Sequence, residues 1–193
     1  MLGIFLDTET NGLEPLRHRI IDVAYQVINL ITGEKKGEYQ SLIAQSKEVW
    51  SVSNPDSLKV NGFTYEAIKD GKSEAQIKED ILAHFEELAI HRKNAVFICQ
   101  NPSFDRVFLS QIIDPKIQND LLWPYHWLDL ASMYWAVYVK SQKKIESFKN
   151  FSKDMIASEL NLPPENKPHQ AMRGAEHLLL CYEALIGFPE KKN

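Results

Sequence analysis

Leu2-Gly3-Ile4-Phe5-Leu6 runs directly into Asp7-Thr8-Glu9-Thr10, and the reading of this stretch decides the rest. A short, continuous apolar run is the signature of a buried strand. Asp7 and Glu9 follow at i and i+2, so on an extended backbone both carboxylates point to the same side. Acids gathered at the end of a buried strand are costly unless positive charge sits between them. A hard divalent cation such as Mg²⁺ answers that cost, because it takes oxygen ligands from one or two carboxylates and completes its shell with water and phosphate. The plainer alternative is an exposed strand end at which Asp7 begins a turn.

The chain has 193 residues, of which 44% are hydrophobic and 25% charged, enough apolar material for one domain over residues 1–193 with its own core. The first residues lack the basic-then-apolar order of a secretory signal, and no run approaches the length of a membrane span. The expectation is a cytoplasmic protein without a membrane partner. Cys99 lies in an apolar run and Cys181 on an apolar helix face, as buried thiols do, with no metal-type pairing between them. A formal charge of −4 argues against bulk attraction to nucleic acid but leaves room for phosphate contacts in a groove.

Outward from the opening strand, Asn11-Gly12 supplies a turn, and Ile20 to Ile28 reads as a second strand with Asp22 and Gln26 on its wetter face. Thr32-Gly33 and Lys36-Gly37 bracket a turn, and Tyr39 to Ala44 reads as the returning strand. Asn54-Pro55 starts a short helix that Asn61-Gly62 closes. Ser73 and Gln76 form a capping-box pattern ahead of a helix with Ile77, Ile81, Phe85 and Leu88 on one face. Ala95 to Cys99 is a fourth, fully buried strand. Asn101-Pro102-Ser103 then caps a helix beginning at Phe104, with Asp105 in its first turn. There Asp105 either approaches Asp7 and Glu9, since α/β sheets place sites at strand ends, or simply complements the helix dipole.

Trp123-Pro124-Tyr125-His126-Trp127 reads as core packing ahead of a helix through Met133 and Trp135. Lys140 to Lys153 holds five lysines against one glutamate, which reads either as a solvated face or as a phosphate contact. A loop, Leu162 to Pro168, leads to His169 and a last helix from about Gln170 to Ile186, whose buried stripe is Ala171, Ala175, Leu178, Tyr182 and Leu185.

Three segments, Asp7-Thr8-Glu9-Thr10-Asn11-Gly12-Leu13, Asn101-Pro102-Ser103-Phe104-Asp105 and His169-Gln170-Ala171, together resemble the motifs of the DEDDh 3′-to-5′ exonucleases, a family that includes the proofreading epsilon subunit of bacterial DNA polymerase III. Pro55 to Thr64 resembles the family's segment between motifs, so the likeness covers nearly the whole chain. It implies an α/β, ribonuclease-H-like fold with a mixed central sheet flanked by helices. It also implies phosphodiester hydrolysis at single-stranded DNA or RNA 3′ ends with two Mg²⁺ or Mn²⁺ ions. In that scheme Asp7 bridges both ions, Glu9 holds the one that activates water, Asp105 supports the other, and His169 is the general base. Imidazole suits that role because it titrates near neutral pH. Thr10 and Leu13, with Asn101 and Phe104, would hold the terminal nucleotide, and an apolar face against a base is sequence-tolerant. The same likeness admits a polymerase subunit as partner and a homodimer.

Two departures qualify the resemblance. The family's fourth carboxylate falls five residues after the histidine, where this chain has Gly174. Glu176 is the nearest acid, but two residues turn a helix by about 200°, which faces it away from that position. Glycine inside a helix also costs about 1 kcal/mol relative to alanine. Gln100 replaces the histidine that often precedes the asparagine of the second motif. The expectations are therefore an exonuclease with weakened catalysis, or a catalytically silent module that binds nucleic-acid ends or a polymerase partner.

Overall fold

The structure is a computed structural model, and it describes residues 1–141 and 150–191. Part of the lysine-rich segment, residues 142–149, lies outside the described residues. Five strands, β1 (Leu2–Thr10), β2 (Ile20–Asn29), β3 (Lys35–Leu42), β4 (Ala95–Cys99) and β5 (Trp127–Asp129), form one sheet in the order β3-β2-β1-β4-β5. The first three pair antiparallel, whereas β4 and β5 run parallel to β1. This is the mixed central sheet flanked by helices that the resemblance implies.

Strand β1 is central and covered on both faces, and its side chains alternate between two cores. Ile4 and Leu6 enter a core with Val23, Val27, Phe85, Phe97, Phe108 and Trp123. Phe5 enters the opposite one with Ile28, Ile98, Leu130, Ile156, Leu178 and Tyr182. The first face is covered by α4 (Glu74–Glu87) and α5 (Pro102–Ile112), the second by α7 (Leu130–Lys140), α8 (Lys153–Glu159) and α9 (Ala171–Leu185). Four shorter helices, α1 (Lys47–Ser51), α2 (Pro55–Asn61), α3 (Tyr65–Ile68) and α6 (Pro115–Asp120), complete the described residues. Among these, no helix is long and apolar enough to cross a membrane.

Local chemistry accounts for several boundaries. The Asn54 side chain accepts from the amides of Asp56 and Ser57, Pro55 opens α2, and Gly62 closes it at φ 70°, a left-handed conformation that glycine adopts without strain. The Ser73–Gln76 capping box is formed in full. Elsewhere the structure corrects the reading. Strand β3 begins at Lys35, so Lys36-Gly37 lies inside it and the turn closes earlier, at Gly33 with φ 76°. Helix α5 starts at Pro102, and the Asn101 side chain makes no cap to it. Its Oδ1 accepts from the Ser103 hydroxyl at 2.6 Å instead. Strand β5 has no separate signal in the aromatic run; it exists because Trp127 to Asp129 pairs with Phe97 to Cys99, with the Phe97 and Trp127 rings stacked at 4.0 Å.

Candidate active site

The alternation along β1 sorts the site. Residues in phase with Phe5, namely Asp7 and Glu9, face the layer that contains α9, whereas Thr8 faces α5 and donates its hydroxyl to Asp105 Oδ1 at 2.8 Å. Asp105 is buried at the start of α5, beyond the carboxyl end of β4. Helix α9 packs across β1 and β2. Its N-terminus is pinned by the buried Asp22, whose Oδ2 accepts the Ala171 amide at 2.9 Å. Asp22 pairs across strands with Glu9, so the same register that holds Glu9 also fixes where α9 begins.

Gly174 is buried directly over Asp7. A Cβ at that position would stand 2.2 Å from Asp7 Oδ2, so the absence of a side chain is what allows the helix and the carboxylate to approach. Glu176 is exposed on another side of α9, among Pro163, Pro164, Arg173 and His177. It does not reach the site. The acid that does is Glu165, in the loop before His169, with its side chain 3% exposed. Between Glu165 and Asp7 lies the Lys153 ammonium, 2.8 Å from Glu165 Oε2 and 3.7 Å from Asp7 Oδ1, and donating to the Gly174 carbonyl at 3.3 Å. Its side chain is only 11% exposed. The end of the lysine-rich segment is thus neither a solvated face nor an open phosphate contact.

His169 sits at the mouth of this cluster with its Nδ1 3.6 Å from Glu165 Oε1, an oxygen that is buried without a hydrogen-bond partner. Its amide is held by the Val60 carbonyl at 3.3 Å, which ties the histidine to α2. Beside Glu9 opens a cleft of about 300 Å³ lined by Thr10, Leu13, Val60, Asn61 and Phe104 among others. Leu13 is 66% exposed there, an apolar side chain open to whatever enters the cleft. Thr10 has its hydroxyl committed to the Gly12 carbonyl at 2.7 Å, and Asn61 donates to the Thr10 carbonyl at 3.0 Å. Of the expected nucleotide-binding residues, Thr10, Leu13 and Phe104 meet in this cleft; Asn101 is exposed and does not line it.

Charge in the cluster is unbalanced. Burial, and then the neighbouring Asp7, push the Glu9 carboxyl up to about 8. Burial likewise raises Asp7 and Asp105, with Asp7 adding to the rise at Asp105 and Lys153 opposing it at both. Burial works against the Lys153 ammonium, yet Asp7 and Glu165 outweigh it and hold its pKa above the ordinary value. One ammonium therefore serves several crowded carboxylates, and hard oxygen donors short of positive charge are the chemistry a divalent cation fits. Among the described residues, however, no three His, Cys, Asp or Glu side chains already stand as a metal-holding group.

The fold and this acidic strand end define the class, a ribonuclease-H-like nuclease domain. The family model described as Exonuclease matches residues 4–181, and the chain belongs to that family. Among solved structures it is similar to cell-death related nuclease 4 (CRN-4), with a TM-score of 0.73 at 11% identity over 96% of this chain and 63% of that one. It is also similar to the zinc-bound E. coli exonuclease I complex with single-stranded DNA, with a TM-score of 0.72 at 15% identity over 96% of this chain and 40% of that one. Exonuclease I in complex with a dT13 oligonucleotide gives a TM-score of 0.72 at 14% identity, over 95% and 41% of the two chains. At such identities the likeness is one of fold. The chain spans less than two thirds of each of these proteins. No curated protein matches it in sequence.

Proposed function

We propose that this protein is a metal-dependent 3′-to-5′ exonuclease that hydrolyses phosphodiester bonds at single-stranded DNA or RNA ends. The observation that carries the reading is the gathering of Asp7, Glu9, Asp105 and His169 around the end of β1, next to a cleft that exposes Leu13. Asp7, Glu9 and Asp105 would hold Mg²⁺ or Mn²⁺. The bound ion supplies water activation and neutralises charge at the scissile phosphate. His169 takes the proton of the attacking water, and Glu165, 3.6 Å from its Nδ1, then pairs with the imidazolium. Leu13 and Phe104 offer apolar surface to the terminal base, and contacts of that kind tolerate any sequence.

A time course of 3′-end degradation of single-stranded DNA and RNA in Mn²⁺, with Asp7→Ala as blank, tests this. Release of mononucleotides well above the blank is expected, and parent protein indistinguishable from Asp7→Ala would sink it. A second reading is favoured by one specific observation, the glycine at 174 with Lys153 against Asp7: a catalytically silent module that holds nucleic-acid ends or docks on a polymerase subunit. Tight oligonucleotide binding without turnover would select it.

A further inference from the structure

Lys153 is the feature that neither the motifs nor the family match explains. It is the first residue of α8, whose N-cap Ser152 accepts from the Met155 amide, so its backbone position is set by a well-formed helix start. From there the side chain runs inward to three oxygens: Glu165 Oε2 at 2.8 Å, the Gly174 carbonyl at 3.3 Å and Asp7 Oδ1 at 3.7 Å. Carboxylate and carbonyl oxygens are the ligands a hard cation takes. Asp7 reaches this position by lying against Gly174, where any Cβ would stand 2.2 Å from its Oδ2. The loss of a side chain at 174 and the buried ammonium are therefore spatially one feature.

We propose that the Lys153 ammonium, anchored by Glu165, takes the place of one of the site's two divalent cations, so that Asp7, Glu9 and Asp105 hold a single metal ion. The inference rests on the exonuclease reading. A lysine supplies positive charge and three N–H donors without dissociating. It thereby puts a fixed positive charge between Asp7 and Glu165, beside the backbone of Gly174 where the family's fourth carboxylate would hold a mobile cation. Glu165 holds the ammonium and also faces His169 at 3.6 Å, which links the resident cation to the proton-accepting group. As an ordinary buried ion pair, Lys153 and Glu165 would leave the number of bound metal ions unchanged, and that number separates the two accounts.

The test is Mn²⁺ binding counted by electron paramagnetic resonance and calorimetry. It uses the full chain together with a short single-stranded oligothymidylate carrying a phosphorothioate at its last linkage. One Mn²⁺ per chain is expected for the parent and for Lys153→Arg, and two for Lys153→Met, whose fold is checked by circular dichroism. Two ions on the parent would overturn the inference while leaving the exonuclease reading standing, and this result does not depend on any variant folding. A folded Lys153→Met that still binds only one ion would overturn it as well. No ion on any of the three proteins would remove the exonuclease reading and the inference together.

Discussion

Replacing Gly174 with alanine is expected to leave the fold standing and to damage the site. Glycine in a helix interior costs about 1 kcal/mol relative to alanine. For a domain of this size that gain corresponds to a rise in Tm of about 2–4 °C. Against it stands the approach of the new Cβ to Asp7, 2.2 Å from Oδ2 and 2.5 Å from Cγ. Van der Waals contact requires the carboxylate to retreat by on the order of 1 Å. Among the described residues Asp7 is tied only by its 3.7 Å approach to Lys153, at the edge of the buried region, so a side-chain rotation can absorb the retreat. Both side chains are less than a fifth exposed, so lengthening this pair costs on the order of 1–3 kcal/mol, which cancels or exceeds the helix gain. Tm should fall by no more than about 8 °C from the parent. A metal ligand or reacting group displaced by about 1 Å can cost about a hundredfold. Mn²⁺ affinity by calorimetry and the rate of 3′-end degradation should both fall by that order. Undiminished affinity and rate in a folded Gly174→Ala protein would refute the claim that Asp7 works from its position against Gly174. A loss of Tm beyond about 10 °C would refute the claim that Asp7 can yield.

Asn61→Ala removes a buried donor to the Thr10 carbonyl and an acceptor for the Phe63 amide, so urea denaturation should show a loss of about 1–3 kcal/mol, with slower turnover because the cleft wall loosens. The Glu9 carboxyl is raised from 4.5 to about 8, so the folded, metal-free protein binds a proton that the unfolded chain has already released. Stability from this group is full below 4.5 and is lost as pH rises toward 8. The metal-free parent should therefore lose Tm across that window by more than Glu9→Gln does, and identical slopes would contradict the assignment. Cys99 and Cys181 are both fully buried, and burial pushes Cys99 well up and Cys181 up to about 11. Neither thiol should react with a disulfide reagent in the native protein, and both should do so after denaturant is added.

Much of the frame was legible from local chemistry. The apolar run ending in Asp7 and Glu9 specified a buried strand with two acids in phase, and β1 keeps that phase. The caps at Asn54 and Ser73 are formed by the residues that advertise them. The burial of Ala171, Ala175, Leu178 and Tyr182 follows the period of the last helix. Boundaries failed where a nearer partner competed for the same group: Asn101 spends its side chain on Ser103, so α5 starts at its proline uncapped. Strand β5 carries no autonomous signal because three residues have no period, and only the ladder with β4 makes them a strand.

Lys153 and Glu165 were beyond reach for a different reason. They come from a helix start and a loop, and nothing in their spacing distinguishes the lysine from its solvated neighbours in the same basic stretch. What the sequence by itself determined is everything governed by neighbours along the chain: strand and helix periods, caps, turns, and the order in which Asp7, Glu9, Asp105 and His169 arrive. What only the tertiary structure decided is which charges share a buried volume. The packing of α9 on β1 brings Gly174 onto Asp7, and the seating of α8 beside α9 carries one ammonium inward. Electrostatic energy depends on distance and burial in space rather than on separation in sequence, so the identity of the cation facing those carboxylates could be read only once the layers had closed.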